Sequence, residues 1–165
     1  MKIIFLNQHI HGYTIATVKE LIELGYEVHI IYNKSSYKVP IIKNLFTYRR
    51  ENENFFSIYR LVNKIDPKLI CVSGWIDKIY LLICFICKMR KIKTVAHSDN
   101  NWNSTFKNKI AALLGRLGFF YFFFHYIWIH GPRQKEYAIK IGFKKNIIYD
   151  HASADLGIFH DCFNK

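Results

Sequence analysis

An α/β domain on a largely parallel, doubly wound sheet with helices on both faces is the architecture this sequence predicts, from three observations. Short apolar runs alternate with longer stretches of helical spacing, the order that builds parallel sheets through crossover helices. The runs are continuously apolar, which reads as strands buried on both faces. Polar residues gather just after the strands, where such sheets bind ligands.

The elements follow in order. Residues 2–6 are an apolar run ending in Asn7-Gln8-His9, a first strand. Residues 13–24 place Ile15, Val18, Leu21 and Ile22 on one stripe with Gly25 at the stop, a helix. Residues 28–32 form the next strand, 45–48 another, and 55–65 a helix closed by Asp66-Pro67, because a residue before proline avoids helical geometry. Residues 69–72 are a strand leading to Ser73-Gly74-Trp75, and Asp77 caps a helix reaching Met89. A strand over 93–96 leads to His97-Ser98-Asp99, and Asn103 or Ser104 caps a long helix reaching Phe124. A strand over 126–129, a helix with Pro132 in its first turn and Gly142 at its stop, and a strand over 146–149 complete the pattern.

At 165 residues the chain is one ordinary domain or a fragment. With 51% hydrophobic, 17% aromatic and 22% charged residues, a disordered chain is excluded. The net charge is +12, of which residues 84–165 carry +8; an excess of this size implies an anionic partner. Nucleic acid is set aside, because no helix-turn-helix, zinc or RNA-sheet motif accompanies the charge. Four cysteines in mainly apolar runs and a start without signal-peptide layout point to the cytoplasm. Cys84 and Cys87 have redox or zinc spacing inside an apolar helix and read as core filler. Residues 110–129 hold Arg116 and His125 as their only chargeable members besides tyrosine; the run is long enough to span a bilayer, but the arginine is costly there. Core filling and attachment to the inner face of the plasma membrane remain as readings. For attachment the contacts are Lys107, Lys109, Arg116, Phe119 and Phe120, basic residues beside aromatics being what anionic lipid retains.

The candidate site collects the strand ends: Gln8, His9, His11 and Gly12 after the first strand, then Ser73 and Trp75, then His97, Ser98 and Asp99, then His130 and Arg133. A dinucleotide fingerprint needs a glycine trio after the first strand, and this loop has Gly12 alone; the expectation is therefore no cofactor. No P-loop, nucleophile elbow or His-Glu-x-x-His pattern occurs, and the histidine-rich loop lacks the carboxylate or thiolate partners of a metal site, so no metal is expected.

The segment from His130 to Phe143, then Asn146 to Asp150, then Asp155 and Phe159, resembles retaining glycosyltransferases of the GT-B fold, in particular the large family four that builds cell-surface glycans. The opening strand–helix–strand with Gly25-Tyr26-Glu27-Val28 is similar as well. The resemblance implies that residues 1–150 are the acceptor-binding first domain and 151–165 the start of the linker to an absent donor domain, since the family's Glu-x7-Glu donor signature does not occur here. It further implies a nucleotide-sugar as donor substrate bound through the missing domain or a partner subunit, a glycan or lipid-linked acceptor, and an isolated chain that is inactive. Under it Gly12 and His11 approach the donor phosphates, and His97 and Asp99 are the catalytic pair, an imidazole or carboxylate there being able to take the acceptor's proton. Gln8, His9, Ser73, Trp75, Ser98 and Arg133 are then acceptor contacts. The alternative is a non-catalytic Rossmann-like module that binds a partner transferase or an anionic membrane.

Overall fold

A computed structural model describes residues 1–35, 39–50 and 54–149. The chain runs β1 (Lys2–Ile10), α1 (Gly12–Glu23), β2 (Glu27–Ser35), β3 (Leu45–Arg49), α2 (Phe55–Ile65), β4 (Leu69–Ser73), α3 (Lys78–Met89), β5 (Lys93–His97), α4 (Phe106–Arg116), a 3₁₀ turn (Phe119–Phe122), β6 (Tyr126–Ile129), α5 (Pro132–Lys140) and β7 (Ile147–Tyr149). All seven strands form one sheet in the order β3-β2-β1-β4-β5-β6-β7, and every pairing is parallel. From β1 the chain winds outward to β2 and β3, then crosses back to β4. This places the reversal of strand order between β1 and β4, where Phe5 is in register with Ile30 on one side and Cys71 on the other.

Strand side chains alternate between faces, so the apolar run of β1 supplies two cores. Ile3 and Phe5 join Ile15 and Val18 of α1 on one face. Ile4 and Leu6 join Val62, Tyr80, Ile83 and Tyr137 of α2, α3 and α5 on the other. Both faces carry helices, as the continuous apolar runs predicted. Cys71, Cys84 and Cys87 are free and buried in these cores, and burial pushes the Cys71 thiol up to about 12 and Cys87 up to about 11. Asp77 caps α3 as expected, accepting from the N–H groups of Ile79 and Tyr80 at 2.9 and 3.2 Å. It also pairs with Arg50 at 2.5 Å, pinning the end of β3 to the start of α3.

Three boundaries differ from expectation by more than two residues. β1 continues to Ile10 and β2 to Ser35, because parallel pairing of His9 with Lys34 and Ile10 with Ser35 keeps polar residues in the ladder. The long helix expected to reach Phe124 stops at Arg116: Gly118 is left-handed at φ 79° and the chain re-enters as the 3₁₀ turn. Its cap is Thr105, whose Oγ1 accepts from the Asn108 N–H at 3.4 Å, not Asn103 or Ser104. Residues 151–165, expected as linker, and Asp155 and Phe159 within them lie outside the described residues.

Candidate functional site at the carboxyl edge of the sheet

The turn from β1 into α1 is the single residue His11, so the side chains of His9, His11 and Tyr13 follow one another along the edge. Their rings stack in sequence, with centroids 6.1 Å and 5.3 Å apart. No side chain caps α1 and its first turn has no acidic residue, which leaves its dipole and leading N–H groups suited to an anion. At the end of β4, Ser73 Oγ accepts from the Gln8 N–H at 3.1 Å and donates to the Leu6 carbonyl at 3.4 Å, stapling the two strands at the reversal. Gly74 then turns the chain away at φ 75°, and its N–H donates to the His97 carbonyl at 2.9 Å.

From β5 and β6, His97 and His130 converge, with Nε2 atoms 2.5 Å apart; one ring donates and the other accepts. Tyr13 and Trp128 flank His97 at centroid distances of 5.7 and 5.0 Å. Burial, then the neighbouring His130, lowers the His97 pKa to about 4. His97 is therefore neutral at pH 7 and a weak proton acceptor, below the range that suits a general base. His130 Nδ1 and Trp128 Nε1 are buried with no partner among the described residues. Burial, then the charge of Asp99, raises the Tyr13 phenol.

These strand ends enclose a cleft of about 380 Å³, within the range of small-ligand sites. Of the residues expected at the site, Gln8, His9, His11, Ser73, Trp75, His97 and Asp99 line it. Trp75 does so as an extension of the core, stacked on Tyr137 at 6.1 Å. Gly12 is the first residue of α1 and is not among the residues that line the cleft. Ser98 is 2% exposed, its N–H donating to the Trp128 carbonyl. Arg133 is exposed near the start of α5, outside the cleft lining. Lys107, expected at a membrane, also lines the cleft. Phe120 cannot join a membrane contact: it is 3% exposed and packs on Trp75 at 4.9 Å, because the 3₁₀ turn points it inward. Reading the sequence missed Tyr13, which helix placement brings into the cleft; His130 was among the strand-end candidates, but its hydrogen bond to His97 was not foreseen. Among the described residues no group of three His, Cys, Asp or Glu could hold a metal ion, and no helix is long and apolar enough to cross a membrane.

No family profile matches the sequence, and no curated protein matches it. Solved structures match its shape. The Bordetella bronchiseptica enzyme WbmH in complex with NAD+ is similar at TM-score 0.52 and 14% identity, over 99% of this chain and 62% of that one. UDP-glucose 4-epimerase from Thermotoga maritima with UDP-glucose is similar at TM-score 0.51 and 17% identity, over 81% of this chain and 58% of that one. The fold is Rossmann-like. The chain spans less than two thirds of the length of these structures, and 37% of a further one, B. bronchiseptica WbmG in complex with NAD, at TM-score 0.48.

Two expectations are corrected. The resemblance to GT-B glycosyltransferases does not hold: the structures that share this arrangement include a UDP-glucose 4-epimerase and an NAD+ complex. The motifs behind it were loose strand and helix boundaries that Rossmann-like domains share. The expectation of no cofactor is overturned by the NAD+ complex with the same fold; it leaned on the missing glycine trio. The trio's absence retains one physical consequence. Glycines let a pyrophosphate approach the backbone of the β1–α1 turn, and here His9, His11 and Tyr13 occupy that approach. The residues thus fit a diphosphate at the open mouth of the cleft, beside the start of α1 and Lys107, but not the fingerprint contact of a dinucleotide.

Proposed function

We propose that this chain is the nucleotide-binding module of a protein that handles nucleoside-diphosphate ligands, of the class to which sugar nucleotides and NAD belong. The carrying observation is the cleft at the β1–β4 reversal, which His11 and Tyr13, flanking the uncapped start of α1, and Lys107 all line. In this reading the diphosphate lies at the mouth of the cleft beside the Lys107 ammonium, with the positive end of the α1 dipole acting on it through space, because both present positive potential to one anion. The stacked His11 and Tyr13 rings give a flat surface for the base or ribose. His97, neutral and hydrogen-bonded to His130, orients the ligand and does not carry charge. The proteins of similar fold include complexes with UDP-glucose and NAD+, which supports the ligand class and does not choose within it.

The test is calorimetric titration of the chain with UDP, UDP-glucose and NAD, with inorganic phosphate as a control. Binding of at least one nucleotide, weakened about tenfold by Lys107→Ala as expected for loss of a charge-assisted contact, supports the module. Absence of heat for all three nucleotides, or binding of phosphate as tight as UDP, overturns it.

A further inference from the structure

Helix α4 carries its apolar stripe on the outside. At 100° per residue, Phe106, Ile110, Leu113, Leu114 and Leu117 fall on one strip, and they are 78%, 43%, 59%, 36% and 72% exposed. The side that faces the body is made of small residues: Gly115 is buried and Ala111 and Ala112 are half-buried. Lys107 lies along one margin of the stripe, and Lys109 and Arg116 along the other. The following 3₁₀ turn adds Phe119 and Phe122, 37% and 61% exposed. It is held in place by Lys88, whose ammonium donates to the carbonyls of Tyr121 and Phe124, so these rings are presented on a fixed support.

A second observation points to what the strip meets. Beside Arg116 a groove of about 620 Å³ opens between α4, the 3₁₀ turn and α5, lined by Arg116, Tyr121, Ile139, Lys140 and Lys144. Lys140 pairs with Glu136 at 3.5 Å and lies over the Trp102 ring at 4.4 Å, while Arg116 and Lys144 have no ion pair among the described residues. Residues 88–149 hold twelve Lys and Arg against Asp99 and Glu136 alone. A second copy of the chain meeting this face through the same face would set Arg116 and the lysines against their equals, a repulsive arrangement. An anionic bilayer offers apolar and negative surface together.

We propose that the outer face of α4 and the 3₁₀ turn is a docking surface for an anionic membrane. The apolar stripe enters the boundary between headgroups and acyl chains, Lys109 and Arg116 sit at phosphate level along one margin, and the Arg116–Lys140–Lys144 groove receives an anionic headgroup. α4 has 11 residues, so it lies in the interface and does not cross it.

The test is sedimentation of the 165-residue chain with vesicles of phosphatidylcholine alone and of phosphatidylcholine mixed with phosphatidylglycerol. Binding is expected to the mixed vesicles only, with release as salt screens the attraction. Lys109→Ala and Arg116→Ala each lower affinity about fivefold, from the usual contribution of one basic residue near a charged surface. Leu113→Glu abolishes binding, whereas Leu24→Glu, at the distant and 73% exposed end of α1, leaves it unchanged; circular dichroism confirms that both variants fold. No binding to either vesicle, equal binding to both, or a vesicle-free dimer that Leu113→Glu dissociates overturns the proposal.

Discussion

Replacing Gly115 with alanine tests how closely α4 is held to the body, because two contributions of opposite sign compete. In an isolated helix the change stabilises by about 1 kcal/mol, the propensity difference between glycine and alanine. In this fold the new Cβ would stand 2.1 Å from the Ile141 oxygen, 2.3 Å from its carbonyl carbon and 2.6 Å from its Cα. All three are backbone atoms, so no rotamer change relieves the clash, and the helix must withdraw by more than an ångström to reach ordinary contact. Overpacking of this kind costs up to about 3 kcal/mol, so the net loss is about 2 kcal/mol. For a chain of this size that lowers Tm by about 4–8 °C. The withdrawal also strains the hydrogen bond from the Tyr121 hydroxyl to the Gly142 carbonyl, 3.0 Å long. Thermal unfolding followed by circular dichroism measures the sum. A variant with Tm equal to the parent or raised would show that propensity wins, that the glycine-to-backbone contact does not exist, and that α4 packs elsewhere.

Two further outcomes follow from burial. Folded His97 has its pKa lowered from 6.5 to about 4, so as pH falls through that window the unfolded chain takes up a proton that the folded chain refuses, and stability present above pH 6.5 is progressively lost; His97→Gln flattens this slope in denaturant titrations across the window, leaving the part due to His29 and His125, which burial shifts the same way. An unchanged slope would place His97 in solvent. Phe120→Ala, at 3% exposure, should cost about 3–5 kcal/mol, whereas Phe122→Ala, at 61% exposure, should stay within about 0.5 kcal/mol; equal losses in urea unfolding would mean that the 3₁₀ turn is oriented differently.

Periodicity made the elements legible because it is a local property. The apolar runs of β1, β2 and β4 have to be buried on two faces, and the stripes of α1 and α2 have to cover them, so the alternating order and the Rossmann-like class were contained in the spacing of Ile, Val and Leu. Caps were local too: Asp77 marks a helix start through its side-chain carboxylate and Pro132 through its fixed φ. Family membership was not local. The strand–helix–strand opening and the Pro132 helix belong to many Rossmann-like domains, and their likeness to glycosyltransferases came from shared backbone demands that carry no chemistry. Side-chain direction within a turn was also beyond the sequence. Phe119, Phe120 and Phe122 are chemically identical neighbours, and only the left-handed Gly118 and the 3₁₀ geometry after it send Phe120 into the core and Phe122 to solvent. The pairing of His97 with His130, 33 positions apart, likewise exists because β5 and β6 are adjacent in the sheet. The sequence by itself determined which segments are strands and helices and that polar groups follow the strands; tertiary structure alone decided which of those groups meet, because contact depends on strand order and pleat, which no single segment encodes.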